Sequence, residues 1–249
     1  MEKENSVEFM VSGRYALFSD PINRMGGEKL TYQIPTYQAL KGILESVYWK
    51  PTFIWHIDKL RVMSHIKTQS QGIRPINYTG GNTLSIYSYL TEVQYQVKAH
   101  FEWNNNRPEL EQDRNENKHY FIAKRMIERG GRRDVFLGTR ECQGYVEPCK
   151  FGEGEGKYDN YGELSFGLMF HGFDYPDEAY DEAGKGKLVA RLWVPKMKDG
   201  YITFIRPEEC EIKRELASMK MKEFNENNFS GLKEFEEGGE LLGMDWQAL

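Results

Sequence analysis

Val93-Gln94-Tyr95-Gln96-Val97-Lys98-Ala99-His100-Phe101-Glu102-Trp103 sets an apolar side chain against a polar one at every step. Successive side chains of a strand point to opposite faces, so this period of two predicts a long strand with one face in a core. Working upstream, Ile54 to Met63 is β-like, and before it Leu40, Ile43, Leu44 and Val47 have helical spacing. Thr36, after Pro35, can cap that helix, and Pro51 stops it because proline lacks an N–H and clashes with the preceding turn. Further upstream, Val7, Phe9 and Val11 alternate ahead of Gly13. Downstream, a polar loop through Asn104 to Pro108 leads to a second helix from near Asn117. That helix carries Tyr120, Ala123 and Ile127 on one face and ends at Gly130-Gly131, a C-terminal cap signal. Phe136 to Val146 is the next extended stretch.

In chain order these elements read strand, helix, strand, strand, helix, strand. That is the βαββαβ order of a ferredoxin-like, RRM-like domain, an antiparallel sheet backed by two helices. A loop marked by Gly72, Pro75, Gly80 and Gly81 falls between its middle strands. Beyond about residue 150, Gly152, Gly154, Gly156 and Gly162 among acids and tyrosines read as a long loop. Leu188, Ala190, Leu192 and Val194 then alternate as a strand, and Asp199-Gly200 is a hairpin turn into Tyr201 to Ile205. A short helix is expected near Arg214 to Phe224. The expected fold is α+β: a ferredoxin-like domain over 1–150, a smaller antiparallel β domain over 151–215, and a polar acidic tail over 216–249.

Length and composition bound the function. The 249 residues fit one large domain or two small ones. No apolar run is long enough to span a membrane, and the first ten residues lack the apolar region of a signal peptide. Three cysteines, Cys142, Cys149 and Cys210, have no metal-ligand spacing and read as reduced thiols. A cytoplasmic protein without membrane contact is expected. The net charge of -5 argues against indiscriminate nucleic-acid binding but hides an asymmetry. From Asp113 to Arg140 eight Lys/Arg face four Asp/Glu, whereas from Phe151 to Glu182 one Lys faces nine. A basic stretch inside an acidic chain suggests a local polyanion site. A solvated helix face remains open on charge alone.

Chemistry is sparse. His56, His65, His100, His119 and His171 are scattered, with no HExxH and no His/Cys cluster, so neither a metal nor another cofactor is expected. Ser12, Ser64 and Ser165 lack a G-x-S-x-G setting, and no phosphate-binding glycine motif is present. What remains is Asn115-Glu116-Asn117-Lys118-His119 at the start of the second helix. Free N–H groups and the helix dipole attract phosphate there. Lys118 adds fixed charge, and His119 can carry a proton. The turn Arg129-Gly130-Gly131-Arg132-Arg133-Asp134 closes the same helix, and its arginines suit bidentate phosphate contacts. A capping histidine on a surface helix and a solvated loop are the plainer accounts of these two features. Tyr48-Trp49 places aromatics at the end of the first helix, and aromatics beside basic residues can stack unpaired bases.

At these residues the chain resembles a known family. Phe18 to Pro21, Tyr32 to Pro51, and Phe136-Leu137-Gly138-Thr139-Arg140-Glu141-Cys142 are similar to the Cas-five family of CRISPR-associated proteins, in its type I-C (Dvulg) form. The resemblance covers essentially the whole chain. It implies a metal-independent endoribonuclease that cuts CRISPR repeat hairpins in precursor RNA, with Tyr48, Lys118 and His119 as the cleavage constellation. The basic residues Arg24, Lys29, Lys124, Arg132, Arg133 and Arg140 are the candidate RNA contacts. The implied partners are precursor and mature crRNA and the backbone and large subunits of the interference complex, with target DNA a further one inside that complex. The chemistry such residues suit is attack by the RNA's own 2′-hydroxyl, giving a 2′,3′-cyclic phosphate and a 5′-hydroxyl. The competing expectations are a non-catalytic crRNA-binding subunit and a metal-dependent DNA nuclease.

Overall fold

The computed structural model describes residues 5–20 and 28–221. Along the chain come β1 (Ser6–Ala16), β2 (Lys29–Leu30), α1 (Tyr37–Val47), β3 (Phe53–Val62), β4 (Thr68–Ile73), β5 (Ser85–Trp103) and α2 (Glu116–Glu128). There follow β6 (Val135–Phe136), β7 (Gln143–Pro148), β8 (Glu163–Ser165), β9 (Met169–Asp174) and β10 (Lys187–Trp193). A hairpin of β11 (Lys196–Lys198) and β12 (Tyr201–Thr203) precedes β13 (Ile212–Ser218). No helix among the described residues is long and apolar enough to cross a membrane.

The expected ferredoxin-like core is present. Its four strands lie in the order β7-β1-β5-β3, the fourth, first, third and second of the βαββαβ unit, and each neighbouring pair is antiparallel. The period-two reading explains why. Val97, Ala99 and Phe101 turn one face of β5 inward, where it meets Phe9 and Val11 of β1 and Leu60 of β3. The buried stripes of α1 and α2 contribute Leu40, Leu44, Val47, Ala123 and Ile127 to the same core. Burying each large apolar side chain there contributes ~1.5–3 kcal/mol.

Three expectations are corrected. The Gly72 loop is in part a strand, because β4 pairs antiparallel with the first half of β5, from Thr68↔Leu90 to Ile73↔Ser85. Its residues are almost all polar, so no alternation announces a hairpin solvated on both sides. The helix expected from Arg214 is instead β13, an exposed strand laid along β10, with Lys187 paired to Glu215 at 2.8 Å. Backbone pairing on that sheet edge overrides local helix propensity, and the rest of that helix and tail lies largely outside the described residues. Finally, residues 151–215 divide between two sheets. β12 pairs with β3, so β8, β11 and β12 extend the first sheet, while β9, β10 and β13 form a second one. Nothing in strand periodicity tells which edge a later hairpin joins.

Candidate active site

Tyr48 is placed by the way α1 ends. The Thr36 side chain accepts the Ala39 N–H at 3.1 Å to start the helix, and Tyr48 leaves it in an extended conformation after donating its N–H to Leu44. Pro51 keeps the chain from continuing as helix, and β3 begins two residues later. The Tyr48 carbonyl accepts Trp55 Nε1–H at 2.8 Å, and its ring lies 5.6 Å from that of Phe53. The phenol is therefore held in the core at only 4% exposure.

His119 reaches the same point from α2. Asn115 caps this helix by accepting the Lys118 N–H at 3.0 Å. His119 lies one and two turns ahead of the buried Ala123 and Ile127, on the same inward face, and is fully buried. Phe53, Phe101 and Trp103 surround its ring. Lys118, ~100° around the helix, leaves half of its side chain in solvent.

The two helices thus meet in a hydrogen-bonded pair: Tyr48 Oη lies 2.8 Å from His119 Nδ1. His119 Nε2 lies 2.8 Å from the main-chain oxygen of Asp113. A carbonyl can only accept, so Nε2 carries the hydrogen of the neutral ring and Nδ1 accepts from the Tyr48 hydroxyl. Burial, reinforced by the Asp113 charge and opposed by Arg132, pushes the Tyr48 pKa up to about 12, so the phenol keeps its proton at neutral pH. Asp113 itself is held below the usual carboxylate range, chiefly by its hydrogen bond with Lys118 and also by Thr52. Lys118 Nζ donates to Oδ1 at 2.5 Å and Thr52 Oγ1 to Oδ2 at 2.7 Å. Asp113 and Thr52 had no motif to mark them, though an acid five residues before Lys118 was the one available signal.

The basic candidates separate. Arg132 and Arg133 donate their main-chain N–H groups to Val47 and Ser46, at the end of α1. Gly130 and Gly131 make that return possible, with φ of 80° and 114°, a region other side chains rarely enter. The exposed side chains of both arginines line a cavity of about 240 Å³ with Gly42, Glu45, Ser46 and Trp49, next to Tyr48 in sequence. Lys124 is exposed further along α2, beside a groove of about 500 Å³ with Tyr120 and Lys98. Lys29 sits over the Tyr87 ring at 4.7 Å on β2, and Arg140 over Phe136 at 5.9 Å in the turn after β6. Arg24 lies outside the described residues.

The family pattern for CRISPR-associated protein (Cas_Cas5), in its Cas5d form, matches residues 6–205. The chain belongs to the Cas5d family. Two solved structures share its fold at 36% identity. One, titled as a CRISPR-associated protein, superposes with a TM-score of 0.72 over 86% of this chain and 98% of the other. The second is the functionally uncharacterized protein SMU1763c from Streptococcus mutans, with a TM-score of 0.65 over 84% of this chain and 96% of the other. Two proteins named CRISPR pre-crRNA endoribonuclease Cas5d are similar over shorter stretches. That of Mannheimia succiniciproducens is 36% identical over 66 residues, 26% of this chain and 28% of its own length. That of Thermus thermophilus is 38% identical over 53 residues, 21% of this chain and 22% of its own.

Proposed function

We propose that this Cas5d chain is an endoribonuclease that cuts CRISPR repeat hairpins in precursor RNA and stays bound to the crRNA as a subunit of a type I-C interference complex. One observation carries the reading: a tyrosine hydroxyl 2.8 Å from a histidine nitrogen, with a solvent-facing lysine one residue away at a helix N-terminus. The names of the two curated relatives support it. A phosphate arriving at this helix end meets free N–H groups, a positive dipole and the Lys118 ammonium. The nucleophile is the RNA's own 2′-hydroxyl, so the step needs no activated water. Its oxygen bonds to phosphorus as the bond to the 5′ oxygen breaks; the 2′ proton goes to a base and an acid protonates the leaving oxygen. Lys118 has three donors and uses one on Asp113, which leaves two for the charge on phosphorus. Arg132 and Arg133 supply phosphate contacts beside Tyr48, Lys29, Lys124 and Arg140 extend the RNA track over other elements, and Arg24 is a further candidate contact.

The test is incubation with the host's repeat RNA with and without a chelator. Cutting in excess chelator, with cyclic phosphate ends, is the expected outcome. Activity that vanishes with chelator and returns with magnesium would overturn the metal-free step. One observation favours the second reading, a subunit that only binds crRNA: Tyr48 and His119 are both buried. Under that reading the repeat RNA is held but emerges intact.

A further inference from the structure

We propose that Asp113 is the positioning residue of this site, fixing the direction in which the Tyr48–His119 pair moves a proton and holding Lys118 beside it. This inference rests on the cleavage reading above. Asp113 ends a 3₁₀ turn, Pro108–Asp113, two residues before the cap of α2. From there one residue reaches three others. Its carbonyl meets His119 Nε2, its Oδ1 meets Lys118, and its Oδ2 meets Thr52 at the entrance to β3. The two side-chain bonds tie the turn to β3 and to α2, so the carbonyl stays aimed at the ring. Because that carbonyl claims the Nε2 hydrogen, Nδ1 is left as the acceptor, and the resting pair is oriented from Tyr48 toward His119.

That orientation assigns the base. A phenol that keeps its proton cannot act as a phenolate, but it can take the 2′ proton while passing its own to Nδ1. The O2′–H bond breaks, Tyr48 regains a hydrogen, and a new Nδ1–H bond leaves His119 as imidazolium. Its charge then faces Asp113 Oδ2, 3.4 Å from Nε2. Asp113 thus orients the imidazole through its carbonyl and offsets its charge through its carboxylate, a division of the role that an aspartate has behind a catalytic histidine in hydrolases. With the pair occupied as base, the leaving 5′ oxygen takes its proton from the Lys118 ammonium. Solvent afterwards removes the His119 proton and restores that of Lys118.

The experiment compares full-length wild type with Asp113→Asn, which keeps the carbonyl and an acceptor for Thr52 but loses the charge, and with Thr52→Val, which cuts the tie to β3. Single-turnover cleavage of repeat RNA, RNA affinity, melting temperature and the ¹⁵N NMR signature of the His119 ring are read on each. Expected are a wild-type ring protonated at Nε2 and a rate lowered at least about tenfold by Asp113→Asn, with affinity within about threefold and melting unchanged. Thr52→Val is expected to mix the two tautomers and slow cleavage less. A wild-type ring protonated at Nδ1 overturns the proposal whether or not RNA is cut. Wild-type cleavage matched by Asp113→Asn overturns it and leaves the endoribonuclease reading intact. A wild type that cuts no RNA while showing the Nε2 tautomer removes the endoribonuclease reading, and the proton path with it.

Discussion

Helix α1 begins at one buried Tyr–His pair and ends at another, and the two differ in how the rings meet. At its start Tyr37 stacks on His171, with ring centroids 4.4 Å apart and planes 19° from parallel. His171 donates through Nε2 to the Ile205 carbonyl, while its Nδ1 has no hydrogen-bond partner among the described residues. Trp193 and Phe204 close around it. Burial, with the nearby Arg191 charge, lowers its pKa to about 3, so this ring stays neutral and serves as packing. At the far end Tyr48 meets His119 through a hydrogen bond, both ring nitrogens are engaged, and a solvent-facing lysine adjoins. Nearness of a phenol and an imidazole is common to both. Tyr37 also has a hydrogen-bonded histidine, with its hydroxyl 3.3 Å from His56 Nδ1, so what sets the Tyr48 pair apart is the solvent-facing lysine beside it at a helix start.

The largest effect expected from this contrast is on cleavage. His119→Ala should lower the single-turnover rate by at least ~10²-fold, the worth of one positioned acid or base, while the dissociation constant for repeat RNA changes only several-fold. His171→Ala should lower the melting temperature and leave the rate per folded molecule near that of wild type. A substrate with 2′-deoxyribose at the cut site should bind normally and remain intact. Equal rate losses in the two histidine variants would erase the distinction, and cleavage of the deoxy substrate would remove the 2′-hydroxyl as nucleophile.

The second effect is on stability in acid. An unfolded histidine titrates near ~6.5, whereas His171 in the fold takes up a proton only near pH 3. Between those values the unfolded chain binds the extra proton, so stability falls as pH falls, by up to ~1.4 kcal/mol per pH unit. Burial holds His56 down in the same direction. Burial raises the Glu45 carboxyl to about 7, which acts in the opposite direction over this window. Thermal melts of wild type should therefore drop from pH 6.5 toward 4.5 by less than the two histidines alone would give. His171→Phe, which keeps a ring against Tyr37, should melt with a shallower slope over that window. A variant slope as steep as wild type would mean that His171 is not buried as a neutral ring.

How much of this was legible follows from the same contrast. The βαββαβ order could be read because each of its strands and helices buries one face, and a buried face writes its period into the sequence. β4 and β13 bury almost nothing and left no such trace. Lys118 and His119 were visible as charge and a titratable ring at a helix start, yet their opposite exposures come from the helical turn between them. Tyr48 was read from its residues only as a stacking aromatic and entered the cleavage set through resemblance alone, because that role depends on a partner 71 positions away. Asp113 was hidden for a simpler reason: its decisive atom is a main-chain oxygen, which every residue has.

The smallest expected effect concerns the charges around the two pairs. Arg132 and Arg133 line a cavity beside the Tyr48 end of α1, whereas the cavity bordered by Tyr37 carries six acids, Asp174, Glu178, Asp181 and Glu182 among them, against the four bases Lys41, Lys185, Arg191 and Arg206. RNA phosphates should therefore favour the first end and avoid the second. Each phosphate contact contributes ~0.7 to ~0.9 to the slope of log affinity against log salt, depending on whether the strand is single or paired. Changing Arg132 and Arg133 together to alanine should flatten that slope by about 1.4 to 1.8 if each makes one contact. Lys185, in the acidic cavity and already paired with Glu182, should leave the slope unchanged when replaced by alanine. Cleavage in the arginine variant should fall through weaker binding and recover at saturating protein, because neither arginine enters the proton path. An unchanged slope with intact cleavage would move the phosphates away from this end of α1, toward Lys29 and Arg140. A slope that responds to Lys185 instead would reverse the assignment of the two ends.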